Sequence, residues 1–515
     1  MRKIRGIVYL LESVMGYKKK HWAQFQSYLP PLESELLNFV LNDKEITDES
    51  AANSLFRTDI KDPNFGRLKN KLRHFLFIEI FRFSPSGSSY TPYQKAHYAS
   101  EQMLAIFKIL KGVAYTSLAK PLADKLHAKS QSYHFNEIGL EASRYLFYYY
   151  SVIQTDLTNS EKFSKEIKKY NNIVQYEIEA ECKFYTILTK QLLAKEKTSD
   201  IAALARSYYY KLTSYAVQKL PSSKFYLFYY RLGGLIYEVE GNYKKAIIYA
   251  REGYTYFKNQ SYDHRTAKII FMLSMAFCYL RLGFLLEARQ IITRSLLLQF
   301  KGRNNWFVSK RLLMQIECHK KNYQDAYDHY RDITTHRKFP DLRDNYKAFY
   351  LLNGAYFDFL ALTGRMPDTP PPSRRSISST FQNILQKDIS NRHIKIPLII
   401  AQLLYNVYDR DYDAIENRIY SLKSYCNRNL MRKSPNFRSN CFIKMLLVIP
   451  SNNFNAIAVR RKTKKYLERL RSVPFTVSEH PSEVEVLPYE DLWEMVLEEL
   501  RAPKRRRNVN QVNRE

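Results

Sequence analysis

Gly234-Leu235-Ile236-Tyr237-Glu238-Val239-Glu240-Gly241-Asn242-Tyr243-Lys244-Lys245-Ala246 is the stretch from which the fold follows. Its pattern returns as Ala276-Phe277-Cys278-Tyr279-Leu280-Arg281-Leu282-Gly283-Phe284-Leu285-Leu286-Glu287-Ala288, and in part as Lys321-Asn322-Tyr323-Gln324-Asp325-Ala326. Ala250 and Gly253 extend the first copy, Ile292 and Ser295 the second, and Tyr330 the third. Ala246 and Ala288 are 42 residues apart, Ala288 and Ala326 are 38 apart, and a weaker echo lies at Asp411-Tyr412-Asp413-Ala414-Ile415. Such a period marks helix pairs that stack, because one pair alone cannot bury its apolar face. Gly234 and Ala276 are expected to let two helices approach closely, and Tyr237 and Tyr279, one turn later, to fill the space between pairs. Gly241 and Gly283 end the first helix, where a residue without a Cβ turns left-handed most easily. Ala246, Ala288 and Ala326 fall where the second helix crosses the first, and a larger side chain there would wedge the two apart.

These residues resemble the tetratricopeptide repeat family, most closely over 225–300 and more loosely to 335. The spacing exceeds that family's usual period of about 34 residues, so longer helices or padded turns are expected. The resemblance implies an all-α architecture, an α-solenoid of antiparallel helix pairs. It also implies a scaffold that holds a segment of another protein, extended or helical, in a concave groove lined by the first helix of each pair. The matching positions are Arg231, Leu235, Phe277, Arg281, Arg311 and Gln315. The family members that grip a terminal carboxylate use lysines and asparagines, where this chain has arginines and apolar residues. An acidic or aromatic-bearing segment suits arginine better, since its planar fork pairs with carboxylates and stacks on rings. The alternative is that these side chains only pack or solvate the groove.

Composition agrees with a folded helical chain. Of 515 residues, 45% are hydrophobic and 25% charged, and only 14 are glycine, too few for the turns of a sandwich or barrel. The 42 tyrosines suit helix packing, where the ring buries and the hydroxyl reaches the rim. The net charge is +31, which repels itself unless an anion shares it. Cys182, Cys278, Cys318, Cys426 and Cys441 are widely spaced and form no CxxC pair, the pattern of buried thiols in a reducing compartment. The run after Arg5 is too short and too polar for a signal peptide. The strongly apolar window 396–405 falls short of the ~18–20 residues of a membrane span. A cytoplasmic protein is expected.

Outward from the repeats, the chain divides into five parts. Residues 1–95 read as an N-terminal helical bundle and 96–366 as the solenoid. Pro367-Asp368-Thr369-Pro370-Pro371-Pro372 opens a linker over 367–379. Residues 380–500 read as a basic helical region and 501–515 as a disordered tail. In the first part a helix from Leu32 to Leu41 precedes one capped by Thr47 or Asp48. Asp62-Pro63 opens a third, with Phe65, Leu68, Leu72, Phe75 and Leu76 on one face. Between 374 and 471 stand 20 Lys/Arg against six Asp/Glu, a net of +14. An acidic amphipathic segment, Glu490 to Glu499 with Leu492, Trp493, Val496 and Leu497, is expected to fold back on this basic region.

Two basic clusters suggest nucleic acid as the alternative partner. Arg67, Lys71 and His74 on the third N-terminal helix would face phosphates or bases if the bundle were a helix-turn-helix; a capping bundle with a solvated basic side is the favoured reading. Arg460, Arg461, Lys462, Lys464, Lys465, Arg469 and Arg471 spread over more than one helix face and suit phosphate neutralisation, unless the following acidic segment pairs with them. No glycine-rich phosphate loop or nucleophile elbow occurs. Cys318 and His319 are adjacent, as are Asp328 and His329, so on a helix their side chains diverge by about 100° and do not share a metal. No enzymatic, metal or cofactor role is expected.

Overall fold

The computed structural model describes residues 1–13, 15–43, 46–57, 62–82, 84–85, 90–193, 198–373, 379, 381–382, 384, 392–417, 437–472 and 485–502. Among them there is helix and no strand. Cys426, the tail beyond 502 and residues 374–378 of the linker fall outside the described residues; the linker's described start, 367–373, carries no helix. The chain divides into two units, one of residues 1–178, 219–224 and 260–264, the other of the remainder.

The first unit begins with α1 (Arg2–Ser13), α2 (Lys19–Gln26), α3 (Pro31–Asn42), α4 (Asp48–Phe56) and α5 (Pro63–Phe81). Thr47 caps α4, accepting from the Ser50 amide at 3.1 Å, and Asp62 caps α5, accepting from the Asn64 amide at 2.7 Å. Phe65, Leu68, Leu72 and Leu76 are buried as their spacing requires, and α5 lies along α1 and α3. The α1 helix was not legible beforehand. Its buried Ile4, Ile7, Val8 and Leu11 join the core of α3 and α5, and the N-terminal ammonium pairs with Asp48, which also holds Lys69 at 3.2 Å. Next come α6 (Pro92–Gly112), α7 (Thr116–Tyr133), α8 (Asn136–Tyr148), a π-helical segment (Tyr149–Ile153) and the start of α9 (Leu157–Leu193). The buried Glu177 of α9 accepts from Asn136 at 2.7 Å and from Ser222 at 2.5 Å, which fixes 219–224 within this unit.

The second unit holds the rest of α9, then α10 (Thr198–Ala216), α11 (Ser223–Val239), α12 (Tyr243–Lys258), α13 (Arg265–Arg281), α14 (Leu285–Leu296), α15 (Asn304–His319), α16 (Tyr323–Thr334) and α17 (Asp344–Leu362). From α12 to α17 each helix packs on the next, the adjacent-pair arrangement of a helical repeat array. There follow α18 (Arg392–Asp409), α19 (Phe437–Leu447), α20 (Ala456–Arg471) and α21 (Tyr489–Arg501), and residues 412–417 are also helical.

One corner recurs. Gly241 (φ 72°) and Gly283 (φ 80°) are left-handed, and the amide after each returns to a carbonyl five residues back, Asn242 to Tyr237 at 2.8 Å and Phe284 to Tyr279 at 2.9 Å. Lys321 takes the same conformation at φ 62° without being glycine, and Asn322 bonds back to Glu317 at 2.9 Å. Five residues after each left-handed residue stand Ala246, Ala288 and Ala326, the fourth residue of the second helix and all buried. Within the first unit the corner recurs at Ala114 and His134, with the buried Ala119 and Gly139 five places on. It also recurs at Arg410 (φ 56°), where the equivalent buried position is Ile415 and not the Ala414 that the sequence echo suggested.

Three packing details depart from expectation. The close approach between α11 and α12 is made by Gly233, where a Cβ would stand 2.5 Å from the Tyr249 ring; at Gly234 it would meet ordinary contacts at 3.8 Å. Tyr237 stacks within its own pair on Tyr249, centroids 5.3 Å apart, whereas Tyr279 does reach the preceding pair, its hydroxyl accepting from Arg251 at 3.3 Å. Cys278, Cys318 and Cys441 are buried, but Cys182 is exposed on α9.

Candidate interaction groove and basic helix

A small groove of about 30 Å³ lies in the second unit against α9, α11 and α13. Phe184 and Leu188 of α9, Tyr230, Arg231, Leu235 and Glu238 of α11, and Phe271 and Ser274 of α13 line it. Helical spacing explains the α11 contribution: 231, 234/235 and 238 follow one another at three- and four-residue steps on one face. Gly234 and Ala250 leave the floor without bulk. The Arg231 guanidinium lies 4.1 Å over the Phe184 ring, a cation–π contact that holds a positive charge against an aromatic wall.

The six positions expected to line one surface separate into three places. Arg231 and Leu235 share the groove, Leu235 as a buried part of its wall. Phe277 is buried between α12 and α13, and Arg281 covers it: the guanidinium stands 4.7 Å over Tyr243 and 5.8 Å over Phe277, and it donates to the Tyr243 hydroxyl. Arg311 and Gln315 lie on α15, 7% and 8% exposed, and do not line the groove. The helix α15 is buried on most of its circumference, from Arg311 through Cys318. Phe184, Tyr230, Glu238, Phe271 and Ser274 were missed. Extending the 231–235 face by one turn would have found Glu238; no local pattern would have brought α9 to it.

No family model, curated protein or solved structure matches this chain.

The second candidate surface is α20. Asn455 caps it through both the Ile457 and Ala458 amides at 3.0 Å, and Ala456, Val459, Thr463 and Leu470 turn one side into the core. Arg460, Arg461, Lys462, Lys464, Lys465, Arg469 and Arg471 are all exposed. At 100° per residue they cover an arc of about 200° opposite the core, over about 16 Å of axis. The acidic α21 does pack beside α20, with Leu492, Trp493, Val496 and Leu497 buried, but its carboxylates are engaged elsewhere. Glu490 accepts from Arg438 at 2.6 Å, Asp491 pairs with Lys321 at 2.7 Å, and Glu498 pairs with Arg365. Glu494 does turn to α20, reaching Arg460 at 4.0 Å.

Arg67, Lys71 and His74 are exposed along one line of α5. Burial pushes the Cys318 thiol well up and the His319 imidazole down to about 4. Burial also lowers His329, whose Nδ1 lies 3.4 Å from the Lys310 ammonium. Among the described residues no three His, Cys, Asp or Glu side chains gather as metal ligands do, and no helix is long and apolar enough to cross a membrane.

Proposed function

We propose that this chain is a non-enzymatic, tetratricopeptide-like scaffold of the cytoplasm. Its α9/α11/α13 groove takes a segment of another protein, and the N-terminal helices serve as a cap. The observation that carries the reading is Arg231 held over Phe184 in a groove otherwise walled by Tyr230, Phe271 and Leu235. A cation braced on rings suits a segment that brings a carboxylate and an aromatic or aliphatic side chain together. That α11 and α13 both line the groove supports the same reading, since rigid neighbouring helices make a better peptide cradle than loops.

The test is affinity capture from native extract with the wild-type chain and with an Arg231→Glu/Ser274→Arg double variant. Both substitutions lie at the groove and leave the corners intact. Proteins retained by the wild type should be lost from the variant while its circular dichroism stays unchanged. An identical set retained by both would remove the groove as the binding site.

A further inference from the structure

We infer that the exposed face of α20 binds the phosphate backbone of duplex DNA, independently of the groove. Basic helices are often no more than solvated surface, and the usual way for a chain to keep them so is to pair them internally. Here the helix best placed to do that is already committed. Of the α21 carboxylates, Glu490 is held by the buried Arg438, Asp491 by Lys321 and Glu498 by Arg365, three cations that lie outside α20. Among the described residues Arg461, Lys462, Lys464, Lys465, Arg469 and Arg471 make no ion pair, and Arg460 has only the 4.0 Å contact with Glu494. Glu468, the one carboxylate within the arc, pairs with none of them. The described residues therefore leave these seven cations almost without internal counter-charge, and a polyanion from outside would neutralise them with release of its counterions.

The distribution of charge selects the kind of polyanion. The cations reach around both flanks of the helix, over about 200°. A flat anionic membrane meets one side of a helix lying on it and inserts an apolar face, but the apolar face of α20 (Ala456, Val459, Leu470) is packed into the core. A groove flanked by two phosphate strands meets both sides at once. The major groove of B-DNA, about 12 Å wide, admits a helix, whereas that of A-form RNA is too narrow and deep. Phosphate contacts position a protein without reading sequence, so the binding is expected to be largely sequence-independent.

Fluorescence anisotropy tests this with the full chain, using a labelled duplex DNA, a duplex RNA of equal length, and phosphatidylserine vesicles as competitor, each over a salt series. Two triple variants are compared: Arg461→Glu/Lys464→Glu/Lys465→Glu on α20, and Lys108→Glu/Lys125→Glu/Lys165→Glu, which makes the same charge change at exposed residues elsewhere. The wild type should bind duplex DNA at low salt. The α20 variant should bind at least about 10-fold more weakly, with the slope of log K against log salt shallower by about 2–3, the contribution of three phosphate contacts. The second variant should keep most of the affinity, and circular dichroism should show both variants folded. Absence of DNA binding at low salt, equal losses in the two variants, or stronger competition by vesicles than by unlabelled DNA would each overturn the inference. Preference for the RNA duplex would overturn the choice of groove.

Discussion

Arg438 and Glu485 meet in a two-point contact inside the second unit, Nη2 to Oε1 at 2.7 Å and Nε to Oε2 at 2.9 Å, with both side chains 4% exposed. Arg438 also donates to both oxygens of Glu490, at 2.9 and 2.6 Å, and to the Leu470 carbonyl at 2.9 Å. Glu485 in turn accepts from the Tyr489 amide at 2.6 Å, at the start of α21. One guanidinium thus ties α19, the end of α20 and the start of α21.

Removing one partner of a buried ion pair strands the other charge, which costs about 3–5 kcal/mol, whereas replacing both by apolar groups is far milder. Arg438→Ala should therefore lower the denaturant midpoint strongly, and Arg438→Met/Glu485→Leu should recover part of the loss. Emission from Trp493, buried against Phe442 in the same core, would follow the release of α21. Equal loss in the single and double variants would contradict this account.

The glycines of α11 offer a test with opposite signs. Gly233→Ala places a methyl 2.5 Å from Tyr249 and 2.9 Å from Tyr209, and should destabilise by about 1–3 kcal/mol through overpacking. Gly234→Ala meets only ordinary contacts and should stabilise by up to about 1 kcal/mol, the helix-propensity gain. Melting temperatures of the two variants moving in the same direction would count against the assigned packing.

Asp358 gives a pH signature. Burial pushes its carboxyl up to about 6 from the ordinary 3.8, and Tyr330 and Tyr405 lie close enough to feel its charge. The folded chain holds that proton more tightly than the unfolded one. The stabilisation is therefore complete below pH of about 4 and lost as pH rises through about 6. Asp358→Asn should raise stability by about 1–2 kcal/mol near pH 7.5 and change it little near pH 4. Denaturant unfolding of both proteins at the two pH values measures the difference, and a pH-independent effect would rule the explanation out.

The corner at Lys321 carries a backbone cost that its neighbours avoid. Left-handed backbone is unfavourable by about 1 kcal/mol for a residue with a Cβ, while the exposed ion pair of Lys321 with Asp491 is worth less than about 1 kcal/mol. Lys321→Gly should thus be neutral to mildly stabilising, and Gly283→Ala should cost about 1 kcal/mol. Calorimetric unfolding of the two variants would show the asymmetry or its absence.

The features legible in advance are those whose cause is local. The period of small residues fixed the register of three corners, and Asp62-Pro63 marked the start of α5 to the residue. The burial of Leu492, Trp493, Val496 and Leu497 followed from helical spacing. What escaped depends on partners far along the chain. Whether Gly233 or Gly234 makes the close approach is decided by where Tyr209 and Tyr249 arrive, and periodicity does not separate adjacent residues. Arg311 looked like a groove residue because its helix matched a first helix of the repeat, yet α15 is enclosed on nearly every side. The acidic segment folds back beside the basic one as its pattern suggests, but whether its carboxylates pair there was left open by the sequence. Arg438, 47 residues before Glu485 and 52 before Glu490, competes for that charge in a way no run of sequence discloses.

The repeated corner bears on how such a chain changes length. A deletion or duplication cut at Gly241 and Gly283 would rejoin the backbone to the same left-handed conformation, with a buried alanine still five places downstream. A cut anywhere else would rotate the next helix off its neighbour by about 100° for each residue gained or lost. Growth by whole hairpins is therefore tolerated where growth by single residues is not, and new ligand preferences can arise by inserting a complete module without redrawing an old one.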